Sequence, residues 1–431
     1  MENSRWKKSY AMVLSVLLCL MLFIQAGMSS IVYGETKKVE KPKIETKAAA
    51  IYCVDTDRYV YKKKINKKYD PYSITKLMTG YLTVKNLDMD KKVVVSADAV
   101  LQMGSSANLQ EGEVVTVKDL LNETMIHSAN DAAYALGETI SGNMDNFIKL
   151  MNNTAKEIGC TGTNFVNPNG IENREHYTTA ADMVKIMKLA YSNKQLRKIM
   201  YTPSYRSEAT NKSVEKEFKH SSGLVRKQRK GVQAVKTGCW DYYTTATVVY
   251  KKNGLTYIIV MLRSNIDVRT ADMNALLQYC GKAQHRIKAV EKNEIEGKAK
   301  VKRGAVKKVK AVVSENGYVW VPYDTPDDMI ETKAVMDDNL KAPIKKGDRV
   351  GTLRMKVGKT CVGTVPLIAE NTVEKGWITS ILGFSNGEAA ITLVVVIAAI
   401  VYIKRRIAKK KRKTKKAREM AIKELRNERK K

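Results

Sequence analysis

Two apolar segments, one near each end, constrain this chain more than any other feature. Basic Arg5, Lys7 and Lys8 precede an apolar run from Ala11 to Ile24, and Val32-Tyr33-Gly34 then offers small or branched residues at a cleavage position. That layout is a secretory signal peptide, expected over residues 1–34, with an uncleaved N-terminal anchor as the alternative. At the other end Ala389–Ile403 is an apolar run of 15 residues, followed at once by Lys404-Arg405-Arg406. A helix of that length spans about 22 Å, short of a hydrocarbon core of about 30 Å. Snorkelling basic residues below and the apolar Trp377–Phe384 stretch above can supply the rest. The Lys/Arg cluster should stay cytoplasmic by the positive-inside rule. The expectation is a cell-membrane protein with a single C-terminal anchor, everything between the ends outside the cell, and membrane lipid as the partner of the C-terminus. An interfacial helix is the alternative.

The charge follows the same division. Lys and Arg number 76 against 44 Asp and Glu, a net +32, and residues 404–431 alone carry 16 basic and 3 acidic side chains. A basic run after a membrane segment sets topology and touches anionic lipid. No domain reads as a nucleic-acid module, so no nucleic-acid partner is expected. Once Cys19 leaves with the signal, five cysteines remain, too sparse for a disulfide framework and without a paired CxxC for zinc. The histidines show no HExxH pairing, so no metal site is expected.

Between the ends, periodicity divides the chain. After a leader over 35–47, Ala48–Val54 reads as a strand. Asp70-Pro71 reads as a helix start, with Asp70 as N-cap and Pro71 at the first helical position. Thr116-x-x-Asp119 resembles a capping box, and a break at His127-Ser128-Ala129 precedes a helix from Asp131 to Ile140. Met144–Ile158 and Thr179–Tyr191 repeat every 3.6 residues. Thr244–Tyr250 and Leu255–Leu262 are β-rich runs joined through Asn253-Gly254, a hairpin signal, and Ala271–Cys280 is a closing helix. Residues 48–283 are thus expected to form an α+β domain with helices packed on an antiparallel sheet. Residues 284–370 read as a small all-β domain, 371–388 as a juxtamembrane segment, 389–403 as the transmembrane anchor and 404–431 as a basic tail.

Three short motifs carry the chemistry. Ser73-Ile74-Thr75-Lys76 is one of three Ser-x-x-Lys matches, but it alone lies on a helix with apolar support, where i and i+3 share a face and set Lys76 beside the Ser73 hydroxyl. A serine nucleophile needs such a neighbouring base, and a lysine serves only when burial or nearby charge lowers its pKa. Of four Ser-x-Asn matches, Ser141-Gly142-Asn143 is most simply a helix C-cap, whereas Ser128-Ala129-Asn130 lies in a break between helices where side chains can face a cleft. Lys236-Thr237-Gly238 occurs once, at the end of a predicted strand, with Gly238 permitting close approach to the backbone. Each motif alone is most simply a capping or solvated polar cluster. Their order, at separations of 55 and 108 residues in an exported chain, argues otherwise.

On these residues the chain resembles the D-alanyl-D-alanine carboxypeptidases of the low-molecular-weight penicillin-binding proteins, a serine-type peptidase family, over roughly residues 48–370. The resemblance extends to Asp70–Thr79, to Gly104-Ser105-Ser106 and Ile126–Ala133, to Thr163–Gly170 with Tyr177–Asp182, and to Val235–Gly238. It implies a β-lactamase/transpeptidase-like catalytic domain followed by the small β domain and membrane attachment. It also implies removal of the terminal D-alanine from peptidoglycan stem peptides, acylation by β-lactam antibiotics, and no metal or organic cofactor. By resemblance Ser73 is the nucleophile, Lys76 the general base and Ser128 the proton relay. Asn130 orients Lys76 and a substrate amide, Lys236 and Thr237 meet the terminal carboxylate, and the N–H groups of Ser73 and Cys239 hold the oxyanion beside Gly238. Arg269 is a second candidate for the carboxylate, with an ordinary surface arginine as the alternative.

Two departures from the family pattern stand out. The segment after Gly238 reads Cys239-Trp240-Asp241-Tyr242-Tyr243-Thr244-Thr245 in place of the usual Thr and Ala-Gly pair, and Asn169 stands where many relatives have His. The first leaves two other functions open: a catalytically weak peptidoglycan-binding or scaffold protein of the same fold, and a β-lactamase.

Overall fold

The strand Leu255–Asn265 carries an unbroken apolar run from Tyr257 to Leu262 and is buried along nearly its whole length. Such a run belongs in the middle of a sheet covered on both faces. In the computed structural model, which describes residues 39–428, it lies between Ala48–Cys53 and Tyr243–Lys252. The signal peptide expected at 1–34 lies outside the described residues. Arg58–Lys63 and Val232–Trp240 complete a five-stranded antiparallel sheet as its two edges. The hairpin 243–265 turns at Asn253 and Gly254, with φ of 50° and 85°, as the Asn-Gly signal requires.

Helices inserted between the second and third strands supply the core. Lys76–Asn86 buries Leu77, Met78 and Leu82 against the alanine-rich helix Asn130–Ser141 and against Ala180–Ser192. Each such side chain removed from water contributes about 1.5–3 kcal/mol. Gly80 lets the helices close, since a Cβ there would lie 2.8 Å from Met125 Sδ. The Thr116–Asp119 cap forms as expected, with the Asp119 N–H donating to Thr116 Oγ1 at 3.0 Å. Gly142 closes the helix 130–141 at φ 78°.

One local expectation is corrected. Asp70 does not cap the helix Lys76–Asn86. Residues Tyr72–Thr75 form a 3-10 turn with no side-chain cap, and the α-helix begins at Lys76. Arg263 instead draws the Asp70 carboxylate away, at 3.5 Å.

Beyond the helix Arg269–Lys282, seven strands make the small β domain: a two-stranded pair (Gln284–Val290 with Gly317–Pro322) and a five-stranded antiparallel sheet. Its core is Val309, Ala311, Val350, Leu353, Val365 and Leu367. The apolar C-terminal run continues without a break into the basic tail as one helix, Asn386–Glu428, long and apolar enough to cross a membrane. All five described cysteines are free thiols; Cys53, Cys160 and Cys280 are buried, Cys239 and Cys361 exposed.

Candidate active site

Ser73 sits in the 3-10 turn, one residue after Tyr72, whose φ of 49° is a backbone conformation side chains rarely adopt. Two contacts hold that turn in place. Thr245 Oγ1 donates to the Pro71 carbonyl at 2.8 Å, and Gly170 packs so closely that a Cβ on it would lie 1.9 Å from the Tyr72 carbonyl oxygen.

The turn presents Ser73 to Lys76, whose Nζ lies 3.0 Å from Ser73 Oγ. Lys76 is fully buried, and its three donors are all used, the others going to Asn130 Oδ1 at 2.6 Å and the Asn169 carbonyl at 2.7 Å. Among the described residues no carboxylate bonds to it. Burial first, and the Lys236 charge second, push its pKa well below the ordinary lysine value.

The segment Glu123–His127 is π-helical, a one-turn widening of the kind common at functional sites. It ends at Ser128 in the left-handed region, φ 73°, which turns the Ser128 side chain toward the sheet edge. There Lys236 Nζ donates to Ser128 Oγ at 2.8 Å. Lys236 is fully buried, and burial pulls its pKa down to about 7. Asn130 opens the next helix and is fixed from two sides: its N–H donates to the Ser105 carbonyl at 2.7 Å, and its Nδ2 to the Met103 carbonyl. Asp131 anchors the same loop, accepting from Ser106 Oγ at 2.6 Å and from the Ala107 and Leu109 N–H groups.

On the edge strand Val232–Trp240, Lys236 and Gly238 are buried while Thr237 is half-buried, its hydroxyl 3.0 Å from Ser221 Oγ. A Cβ on Gly238 would stand 2.7 Å from the Ser73 nitrogen, so the glycine keeps that N–H uncovered. Cys239 follows, exposed. Ser73, Lys76, Ser128, Asn130, Lys236, Thr237 and Gly238 therefore converge from three elements. Arg269 does not join them: it is exposed at the first position of its helix and makes no hydrogen bond or ion pair with any of them among the described residues.

The departure after Gly238 is a tight hairpin. Trp240 pairs with Tyr243 across the two-residue turn Asp241-Tyr242, with Asp241 at φ 52°. Trp240 and Tyr242 are 37% and 67% exposed, so they stand at the lip and do not fill the interior. Tyr243 packs under the Arg263 guanidinium at 4.4 Å. His127 is a packing residue, its ring 5.3 Å from that of Phe218.

Motif reading missed three groups. The Asn169 carbonyl holds Lys76 by backbone, which side-chain patterns do not register. His176 accepts from the Val166 N–H on Nδ1 at 3.2 Å, and its Nε2 lies 2.9 Å from Thr75 Oγ1. With one ring nitrogen accepting, the other carries the proton, so His176 is a neutral link between the Tyr72–Thr75 turn and the 163–178 loop. Ser221 meets Thr237 from a loop with no motif of its own.

Over residues 35–265 the chain matches the family described as D-alanyl-D-alanine carboxypeptidase, and over 285–375 the C-terminal domain of penicillin-binding protein 5. D-alanyl-D-alanine carboxypeptidase DacF of Bacillus subtilis is 30% identical over 377 residues, covering 85% of this chain and 96% of the relative. Penicillin-binding protein 5 of Haemophilus influenzae shares the fold at a TM-score of 0.53 and 24% identity, over 78% of this chain and all (100%) of that one. A variant of the Streptomyces K15 DD-transpeptidase superposes at a TM-score of 0.52 and 28% identity, over 56% of this chain and 98% of that one. The chain belongs to the D-alanyl-D-alanine carboxypeptidase family of serine-type peptidases, with a transpeptidase-fold domain followed by a β domain of the penicillin-binding protein 5 type.

Proposed function

We propose that Ser73 is the acylated nucleophile of a D-Ala-D-Ala carboxypeptidase acting on peptidoglycan stem peptides outside the cell. One observation carries the reading: a fully buried lysine without a carboxylate partner has its Nζ 3.0 Å from the Ser73 hydroxyl. Neutral Lys76 takes the proton as Ser73 Oγ attacks the carbonyl of the penultimate D-alanine, a role typically worth about 10²–10⁴ in rate. The tetrahedral oxyanion is received by the N–H groups of Ser73 and Cys239, each worth roughly 3–4 kcal/mol. On collapse the C–N bond breaks, and Ser128 passes a proton to the departing amine of D-alanine. Water then hydrolyses the ester by the reverse proton path. Charged Lys236, with Thr237, receives the terminal carboxylate, and Asn130 aligns Lys76 and a backbone amide of the substrate. β-Lactams acylate the same serine.

The basic start with its apolar run, and the helix 386–428 ending in a Lys/Arg tail, support export with one C-terminal anchor in membrane lipid. The catalytic domain is taken as 48–283 and the β domain as 284–370. Incubation with labelled penicillin, followed by mass spectrometry, tests the assignment. A slowly lost adduct on Ser73 together with D-alanine release from diacetyl-Lys-D-Ala-D-Ala supports it. An adduct lost within seconds makes the chain a β-lactamase, and no adduct makes it a scaffold.

A further inference from the structure

Beside the nucleophile turn lies a second opening. A cavity of 590 Å³ is walled by Lys47, Lys67, Lys68, Arg174 and Arg263. Five of its eight lining residues are basic, against 76 of 431 in the whole chain, so this is a local concentration and not the average surface. The single carboxylate in the wall, Asp70, is already paired with Arg263.

We propose that this cleft binds an extended polyanion carrying repeated phosphate groups. Its cations face solvent along an open wall: Lys47, Lys67, Lys68 and Arg174 are exposed, and no buried donor converges on one point. A single desolvated ion has no nest there, whereas a chain of separated charges meets several cations at once. The walls also carry rings that steady them, with Lys68 Nζ 3.9 Å from the Tyr177 ring centre and Lys67 Nζ 5.6 Å from that of Tyr69. The Arg174 guanidinium favours phosphate, whose oxygens it can take in pairs, while Arg263 is shared with Asp70. A cleft lined by one sign of charge raises the local concentration of its counter-ion. Its position gives the binding a use. Asp70 in the cleft wall stands only three residues before Ser73 in the chain. A polymer held in the cleft keeps the enzyme's mouth against an anionic matrix. The inference does not depend on the acyl-transfer reading.

Lysine labelling of the full chain in detergent, read by mass spectrometry, tests it with linear inorganic polyphosphate as the probe. Labelling of Lys47, Lys67 and Lys68 should slow at least about 3-fold relative to exposed Lys298 and Lys333, and about 0.5 M salt should reverse this by screening. The combined Lys67→Gln, Lys68→Gln and Arg174→Gln variant should lose the protection of Lys47 while an unchanged circular dichroism spectrum and melt show it folded. Protection confined to the 404–431 tail or spread over all lysines overturns the proposal. So does protection of Lys47 that survives the triple substitution. Equal protection by inorganic phosphate at the same phosphorus concentration makes this a single-ion site, and equal protection by polyglutamate removes the preference for phosphate.

Discussion

The Lys236 ammonium donates to the Ser128 hydroxyl across 2.8 Å, tying the edge strand to the left-handed turn that ends the π-helical segment. The pair faces a second one, Lys76 with Ser73 at 3.0 Å. Two buried lysines share this pocket, burial lowers the pKa of both, and each disfavours the charge of the other. The proposed chemistry needs Lys76 neutral while Lys236 is charged. Acylation by penicillin should rise with pH as Lys76 becomes neutral and fall as Lys236 does, from about 7 upward. In Lys236→Arg, whose guanidinium stays charged, the alkaline limb should vanish. Stopped-flow acylation between about pH 5 and 10 measures both limbs, and an unchanged alkaline limb in the arginine variant would contradict the assignment.

The same burial sets a stability prediction of opposite sense to activity. Unfolded Lys236 keeps its proton to 10.5, the folded one only to about 7. Between those values the unfolded state holds more protons, so native stability rises with pH. Lys236→Met removes the penalty and should raise stability at pH 7 by roughly 2–5 kcal/mol while acylation is lost. Denaturant melts at pH 7 and 10 report it. The gain should shrink toward pH 10, and a destabilised Lys236→Met at both values would argue that the ammonium is well solvated.

Gly238 and Cys239 separate backbone from side chain. A Cβ at 238 would sit 2.7 Å from the Ser73 nitrogen, so Gly238→Ala should reduce acylation at least about 100-fold by crowding one oxyanion donor. The Cys239 thiol is exposed, and only its backbone borders the site, so Cys239→Ser should acylate within about 2-fold of the parent, the hydroxyl leaving the N–H in place. If the serine variant fell as far as the alanine one, the thiol itself would be part of the chemistry.

Much of this arrangement was legible because it follows from local pattern. The i, i+3 spacing of Ser73 and Lys76, the Thr116 cap, the Asn253-Gly254 hairpin and the apolar run 255–262 each act within a few residues, and each appears where the pattern put it. The meeting of Lys236 with Ser128 spans 108 residues, and motif order implied it where periodicity could not. What stayed hidden depends on tertiary geometry. Asp70 reads as a cap until Arg263, 193 residues away, claims its carboxylate. The Asn169 carbonyl is a ligand of Lys76 through backbone alone. Arg269 shows the limit in the other direction: the resemblance offered it to the site, and its side chain is exposed at the start of its helix.

His176 gives the last prediction. Its ring bridges the Val166 N–H and the Thr75 hydroxyl, one residue before Lys76, and burial first and Lys76 second pull its pKa down to about 3. The unfolded histidine takes a proton below 6.5 and the folded one only near 3, so native stability falls as pH drops through that window. His220, also lowered to about 3, adds to the same slope, and removing His176 should therefore flatten it without abolishing it. His176→Ala leaves a buried N–H and a hydroxyl without their partner and should cost about 1–3 kcal/mol. Because the ring positions the nucleophile turn and touches no substrate, kcat should fall about 10-fold with KM nearly unchanged. His176→Gln, which can accept with its oxygen and donate with its nitrogen, should restore kcat more than stability. Loss of KM in place of kcat, or no rescue by glutamine, would mean the loop moves as a whole and the histidine is ordinary packing.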